Sequence, residues 1–160
     1  MREVNRAALI VLSACFAAAG ILAQEGALAV TGLSGKTVHL TSAELSRLPQ
    51  QTFTASDRGS PVSFVGVLLS DVLAKVDAPV GEPFRATAAS HYVVAEAKDG
   101  YRAVFAWAEL DRSFTDRKIY LVTQRDGKPL SDKDGAFMTV VPDDKRASRW
   151  VRAVTALTIK

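Results

Sequence analysis

The chain has 160 residues with 20 basic and 17 acidic side chains, a formal net charge of +3 and 48% hydrophobic residues. Its lysines and arginines form no continuous block, which argues against nucleic acid as a partner. Cys15 is the only cysteine, so no disulfide can form within the chain and a folded domain must rely on its hydrophobic core.

The first 23 residues have the pattern of a secretory signal peptide. Arg2 and Arg6 precede an apolar run over residues 7–23 that ends in small residues. A basic start, an apolar centre and a small-residue end are typical of such signals. We therefore predict a signal peptide over residues 1–23, export to the periplasm and a single domain over residues 24–160, which is long enough to bury a core.

Two other interpretations of this segment stay open. The apolar run is just long enough to span a bilayer as a retained anchor. Residues 12–15 also resemble a lipoprotein box, in which Cys15 would be acylated and anchor the protein. Residues 16–23 remain apolar, whereas a lipoprotein usually turns polar after its cysteine, so we favour cleavage with no transmembrane segment left. Whether the signal is cleaved or Cys15 is lipidated, Cys15 does not reach a folded active site.

The first half of the predicted domain combines short strands with two helices. Alternating apolar residues and turn signals predict strands over residues 27–33, 36–40, 51–56 and 62–65. Thr41 and Glu44 form a capping box, which predicts a helix over residues 42–48 that ends at Pro49. Apolar residues recur at helical spacing over residues 66–76, which predicts a second helix, followed by a surface connection over residues 77–83.

The second half is predicted to be mostly strands. The candidates are residues 84–88, 91–97, 101–106, 119–123, 136–141 and 151–159, with a helical turn over residues 106–110. Asp99-Gly100 and Asp126-Gly127 predict hairpin turns, because Asp-Gly pairs accept the positive φ that such turns need. The fold class is therefore α+β, with mixed, mainly antiparallel β-sheets and a few short helices.

Five short motifs resemble, in the same order, those of the oxidoreductase molybdopterin-binding domain of sulfite-oxidase-type enzymes. Residues 64–73 resemble its F-x-G-V-x-L-x-D-x-L motif, and residues 99–101 its hairpin ending in tyrosine. Residues 126–130 resemble its D-G-x-P-L turn, residues 135–142 the following strand with its proline, and residues 149–151 the opening of its last strand. The resemblance implies a sulfite-oxidase-like fold, closest to the small, free-standing exported members of the family.

One departure from the family bears on catalysis. Catalytic members carry a metal-binding cysteine between the first helix and the F-x-G-V motif, but residues 51–61 contain neither cysteine nor histidine. The hydroxyl of Ser56 is a poor substitute for the soft thiolate. We therefore expect no metal and no catalytic residue. The hypothesis is a non-catalytic binding or accessory module with a redox or sensory partner protein, for which molybdopterin is the cofactor that the resemblance allows.

Two other functions stay open. One is a true molybdopterin-dependent oxidoreductase, which binds its metal through oxygen or completes its site with a partner subunit. The other is a small-ligand binder that uses an aromatic pocket on the same fold. The aromatic residues considered for that pocket are Tyr92, Tyr101, Phe105, Trp107 and Trp150, although aromatics on alternating strands more often form a core.

The candidate cofactor-binding residues are Arg149, Lys145, Arg146 and His91. The resemblance places Arg149 where the family has a basic residue that contacts the pterin phosphate, and a guanidinium can bind phosphate through two hydrogen bonds. Lys145 and Arg146 are close in sequence, and a solvated basic loop also explains all three. His91 begins a predicted strand and would face a pocket, or it is a half-buried structural residue.

Overall fold

The computed structural model describes residues 26–78 and 87–160. Within these residues, ten strands form two sheets of five strands each. The strands are β1 (Ala27–Thr31), β2 (Thr37–Thr41), β3 (Gln51–Asp57), β4 (Ser60–Leu68), β5 (Tyr92–Ala97), β6 (Arg102–Ala106), β7 (Tyr120–Arg125), β8 (Lys128–Pro129), β9 (Met138–Val140) and β10 (Val154–Ile159). The two α-helices are α1 (Ser42–Leu45) and α2 (Leu69–Leu73), and 3-10 turns cover Ala88–Ser90, Trp107–Glu109 and Ala147–Arg149.

The first sheet has the strand order β2-β1-β10-β5-β6. Its central pair, β1 with β10, is parallel, and the other pairs are antiparallel. The parallel pair joins the two ends of the predicted domain, with Ala29 opposite Ala156. The last strand, β10, therefore joins the β1–β2 pair to the β5–β6 pair within this sheet.

The second sheet has the order β3-β4-β7-β8, and β9 also pairs with β7. Strands β3 and β4 form a hairpin whose tip is Arg58-Gly59. The register of β4 on β7 shifts between Val65 and Gly66. A Cβ atom on Gly66 would lie 2.7 Å from the Cα of Val122, so glycine allows β7 to approach β4 closely there.

The core consists of apolar side chains from both sheets. Burial of these side chains is the main stabilising contribution in a domain without disulfides. The fully buried members include Leu28, Val30, Phe64, Val93, Phe105, Leu121 and Leu157. Thr139 and Asp134 are the buried polar residues of the described chain, and both contact the segment that leads into β10.

The structure confirms the predicted α+β class with mixed, mainly antiparallel sheets. The capping box is also confirmed, because the hydroxyl of Thr41 accepts a hydrogen bond from the backbone N–H of Glu44 while the carboxylate of Glu44 accepts one from the backbone N–H of Thr41. The first helix is shorter than predicted and ends at Leu45.

The helix predicted over residues 66–76 is wrong in its first turn. Gly66, Val67 and Leu68 extend β4 and pair with β7, so the helix α2 is limited to Leu69–Leu73. A continuous apolar run fits a buried strand as well as a helix, and pairing with β7 decides between them. Of the strand predicted over residues 84–88, Ala88 begins a 3-10 turn, while residues 84–86 lie outside the described residues.

The predicted signal peptide, Cys15 and residues 79–83 of the predicted connection also lie outside the described residues. The longest α-helix in the described ranges has five residues, and no helix there is long and apolar enough to cross a membrane.

Candidate functional site

A cleft of about 320 Å³ opens between the two sheets at the tip of the β3–β4 hairpin. We call it the hairpin cleft. Asp57 and Arg58 line it from the tip, and Asp99 and Tyr101 line it from the β5–β6 turn. The remaining wall comes from β7, β9 and residues 147–152. The cleft therefore collects residues from both sheets and from the segment before β10.

Two of the three arginines that line the hairpin cleft, Arg125 and Arg152, are paired with carboxylates. Arg125 donates from Nη2 to Oδ2 of Asp57 at 2.8 Å, and its guanidinium carbon lies 5.8 Å from the centre of the Phe64 ring. Arg152 lies 3.1 Å from Oδ1 of Asp134. Arg58 is exposed at the hairpin tip, with a left-handed φ of 53°, and forms no ion pair with any described residue.

Two aromatic side chains form the apolar part of the hairpin cleft. The hydroxyl of Tyr101 donates to the backbone oxygen of Ser148 at 2.6 Å, which ties the β5–β6 turn to the 3-10 turn Ala147–Arg149. Trp150 donates from Nε1 to the backbone oxygen of Val141 at 3.1 Å and meets Phe64 edge to face, with ring centres 5.6 Å apart. The cleft walls are therefore fixed by hydrogen bonds and packing.

The donor atoms at the hairpin do not fit a molybdenum ion. The end of β3 carries Ala55, Ser56 and Asp57, which supply no thiolate, and the carboxylate of Asp57 is bonded to Arg125. Over residues 26–78 and 87–160, no group of three or more histidine, cysteine, aspartate or glutamate side chains lies close enough to hold a metal ion. A metal site that depends on a protein thiolate has no such ligand among the described residues.

Arg149 lies in a cluster of alternating charges next to this cleft. Its Nε and Nη2 each donate to one carboxylate oxygen of Asp144 at 2.8 Å, and its Nη1 donates to Oε2 of Glu109 at 2.8 Å. Arg117 donates to the other oxygen of Glu109 at 2.9 Å. We call Glu109, Arg117, Asp144 and Arg149 the Arg149 cluster. The guanidinium of Arg149 also lies over the ring of Phe105, with 5.4 Å between its carbon and the ring centre.

The electrostatics of the cluster favour the charged forms of both partners. The hydrogen bonds from Arg149 hold the pKa of Asp144 below its usual value, against the opposing effect of burial. The same bonds, with those to Glu109, keep the pKa of Arg149 above its usual value. Arg149 is therefore a permanently charged, half-buried group whose charge is matched by two carboxylates.

The backbone of Arg149 is held by a buried threonine. The hydroxyl of Thr139 donates to the backbone oxygen of Arg149 at 2.7 Å and accepts from the backbone N–H of Val151 at 2.8 Å. Thr139 is fully buried on β9. One hydroxyl thus satisfies two backbone groups on either side of Trp150 and positions the entry to β10.

The predicted cofactor residues do not come together in one place. Lys145 and Arg146 are exposed in the loop before the 3-10 turn, while the Arg149 side chain turns into its cluster. His91 is half-buried before β5, and its backbone oxygen accepts from Trp107 at 2.9 Å. In the part of the chain that the structure describes, none of the four lines the hairpin cleft. Cofactor contact by any of them stays a prediction.

The aromatic residues considered for a pocket also separate. Phe105 and Trp107 are buried in the core, whereas Tyr101 and Trp150 line the hairpin cleft. Tyr92 lies on β5, with 39% of its surface exposed. The sequence interpretation did not identify Glu109, Asp144 or Thr139. Of these three, only Asp144 is close enough to Arg149 in sequence, five residues before it, for an ion pair to be suggested by the sequence. Glu109 and Thr139 lie forty and ten residues before Arg149.

The comparisons with known proteins agree with this architecture. A family model for the oxidoreductase molybdopterin binding domain matches residues 20–160. Among solved structures, the chain is similar to the sulfane dehydrogenase SoxCD from Paracoccus pantotrophus, with a TM-score of 0.63 and 23% sequence identity. That match covers 84% of this chain and 38% of the SoxCD chain, and it shows the fold. No curated protein matches. The chain belongs to the oxidoreductase molybdopterin-binding domain family.

Proposed function

We propose that this protein is an exported, non-catalytic binding or accessory module built on the molybdopterin-binding domain. The observation that carries the proposal is the chemistry at the end of β3. There the hairpin presents Ser56 and an ion-paired Asp57 in the stretch where the family resemblance places the metal-binding cysteine. Hydroxyl and paired carboxylate oxygens are poor substitutes for the soft thiolate on which the family's metal site depends.

The Arg149 cluster supports the same proposal for the pterin. Arg149 already donates two hydrogen bonds to Asp144, so a phosphate group would have to displace that carboxylate or share the guanidinium with it. Glu109 occupies a third donor and adds a second negative charge. Like charges repel, so a phosphate placed here is disfavoured while both carboxylates are ionised. Tight molybdopterin binding at Arg149 is therefore not expected.

The hairpin cleft remains suited to a small ligand. Its volume of about 320 Å³ is at the lower end of the range for small-molecule sites. Tyr101 and Trp150 offer apolar surface, and Arg58 offers an unpaired charge in the described structure. We propose that a ligand bound here, or a redox or sensory partner protein docked at this opening, uses the fold as a scaffold.

Export to the periplasm is part of the proposal and rests on the signal pattern in residues 1–23. Intact mass and N-terminal sequencing of the protein recovered from the periplasm test it. Cleavage near residue 23 is the expected result. A lipid-modified N-terminus at Cys15 would show that the protein is a membrane-anchored lipoprotein. An uncleaved chain in the membrane fraction would contradict export as a soluble protein.

Elemental analysis and pterin detection test the non-catalytic role. The mature protein is purified from a host supplied with molybdenum, and a Ser56→Cys variant is purified in parallel as the matched control. We expect neither stoichiometric molybdenum nor a fluorescent oxidised pterin from the wild type. Molybdenum in the variant alone would show that the missing thiolate is the cause. Stoichiometric molybdenum and pterin in the wild type would overturn the proposal in favour of a true oxidoreductase.

A further inference from the structure

A second cleft lies at the opposite end of β3 from the hairpin tip. It has a volume of about 380 Å³ and lies between the segment 110–119, the first residue of β3 and the start of α2. We call it the loop cleft. Its floor is made by the buried side chains of Leu68, Leu110 and Ile119. None of its lining residues lines the hairpin cleft, so the two are separate sites.

The charges around the loop cleft are predominantly positive. Arg112, Arg117 and Lys118 line it, against the single carboxylate of Asp116. Neither Arg112 nor Lys118 forms an ion pair with any residue in the ranges 26–78 and 87–160. Arg117 uses Nη1 for Glu109, which leaves other donors of its guanidinium for a ligand.

This charge balance differs from that of the hairpin cleft. There Arg125 and Arg152 are each paired with an aspartate, so an anion would have to compete with carboxylates already in place, and Arg58 is the one lining cation without an ion pair to a described residue. In the loop cleft two cations have no such partner. An anion therefore gains more in the loop cleft than in the hairpin cleft.

The segment that carries these cations is internally hydrogen bonded. Ser113 donates its backbone N–H to the carboxylate of Asp111 at 2.8 Å, and Thr115 donates its own to the backbone oxygen of Asp111. Arg117 donates its backbone N–H to the hydroxyl of Thr115 at 3.1 Å. The backbone around Arg112 and Arg117 is therefore ordered before a ligand arrives, which lowers the entropy cost of binding.

We propose that the loop cleft binds a small organic anion, a carboxylate or phosphate ester with an apolar body. The apolar body packs against the small exposed parts of Leu68, Leu110 and Ile119 at the floor, so most of the affinity comes from the anionic group. The anionic group meets the guanidinium and ammonium groups of Arg112 and Lys118 at the rim through charge-assisted hydrogen bonds. The inference is independent of the function proposed above, because it uses neither the tip of the β3–β4 hairpin nor the Arg149 side chain.

Titration with phenyl phosphate tests the site. Binding is measured by calorimetry and located by amide chemical shifts in a two-dimensional NMR spectrum of the full mature protein. We expect saturable shifts at Ser70 and in the segment 110–119, weakened by added salt. The double variant Arg112→Gln/Lys118→Gln is expected to bind phenyl phosphate at least about tenfold more weakly, because both unpaired charges are lost. Both side chains are exposed, so circular dichroism and Tm of the variant should match the wild type.

The matched control removes two cations that lie outside both clefts. Lys36 and Lys128 are exposed and line neither the loop cleft nor the hairpin cleft, so Lys36→Gln/Lys128→Gln should leave phenyl phosphate binding unchanged. Benzyl alcohol, which has the apolar ring without the charge, should bind far more weakly. The proposal is overturned if phenyl phosphate shows no saturable binding or if benzyl alcohol binds equally well. It is also overturned if the control variant loses affinity as much as Arg112→Gln/Lys118→Gln.

Discussion

Arg149 and Asp144 form a two-point ion pair in which Nε and Nη2 of the arginine each bond one carboxylate oxygen at 2.8 Å. The two residues stand at either end of a short loop, so their pairing closes that loop. Both side chains are largely shielded from water, with exposed fractions of 24% and 17%. A pair with this geometry contributes more than a typical surface ion pair.

We predict that Asp144→Asn lowers the free energy of unfolding by about 1–3 kcal/mol at neutral pH, because Arg149 loses a charged acceptor. The pKa of Asp144 is lowered in the folded state, so its contribution is complete above the usual aspartate pKa. That contribution is lost as the pH falls through the lowered value. Urea unfolding at pH values from about 7 down to about 3 should therefore show the difference between variant and wild type shrinking in acid.

The control for this prediction is Asp143→Asn, since Asp143 is exposed and forms no ion pair with the described residues. It should change the free energy of unfolding by no more than about 0.5 kcal/mol. Equal losses in the two variants would mean that the two-point geometry contributes nothing beyond the general charge of the loop.

We predict that Thr139→Val destabilises the protein by about 1–3 kcal/mol, although the two side chains have nearly the same shape. The hydroxyl of Thr139 donates a hydrogen bond to the backbone oxygen of Arg149 and accepts one from the backbone N–H of Val151. Valine removes both hydrogen bonds and leaves these two backbone groups without their partner in the protein interior. Thermal unfolding and the near-ultraviolet circular dichroism of Trp150 check the result. Thr158→Val is the control, since Thr158 is half-buried on β10 rather than enclosed in the core. A neutral Thr139→Val would show that water replaces the hydroxyl.

The sequence predicts those parts of the structure whose partners are close along the chain. Thr41 and Glu44 are three residues apart, so their capping box can be recognised and is confirmed. The first turn of the helix predicted over residues 66–76 fails because β7, which pairs with residues 66–68, lies more than fifty residues away. Glu109 likewise reaches Arg149 across forty residues of chain, and no local pattern indicates that contact.

The fold itself was predictable for a different reason. The motifs at residues 99–101 and 126–130 lie in hairpin turns, and Gly135 begins a third motif with a positive φ. Backbone geometry restricts the residue types there, so the order of the motifs identifies the family without knowledge of the packing. The charge state of the candidate site was not predictable in this way. Whether Arg149 is available for a phosphate depends on which carboxylates the fold brings to it, and those come from separate elements.

We predict that Tyr120 ionises only above the ordinary tyrosine pH range. Burial raises its pKa, because the phenolate would be poorly solvated. Its ring stacks on Phe53 with centres 3.9 Å apart, and its hydroxyl donates to Gln51 at 3.1 Å. The raised pKa means that stability is unaffected below the usual tyrosine pKa and falls as the pH rises above it.

An ultraviolet difference titration of the wild type against Tyr120→Phe isolates the Tyr120 phenolate. We expect the midpoint of this difference signal to lie at a higher pH than that of an ordinary tyrosine. A difference signal that is complete near the usual tyrosine pKa, in a protein that is still folded, would show that the hydroxyl of Tyr120 is hydrated.

Glu109 and Asp144 share Arg149, and this sharing predicts that their substitutions are not independent. In Glu109→Gln the guanidinium keeps its two bonds to Asp144, and in Asp144→Asn it keeps its bond to Glu109. The double variant leaves a half-buried cation without any carboxylate, so its loss of stability should exceed the sum of the single losses by about 1 kcal/mol. Urea unfolding of the four proteins measures this coupling.

The matched control combines Glu109→Gln with Asp57→Asn. The carboxylate of Asp57 pairs with Arg125 instead of Arg149, so the two losses of stability should add. Additivity in both pairs would mean that Arg149 is hydrated whenever one carboxylate is removed, and the charge balance proposed to keep phosphate from Arg149 would then be too weak to do so.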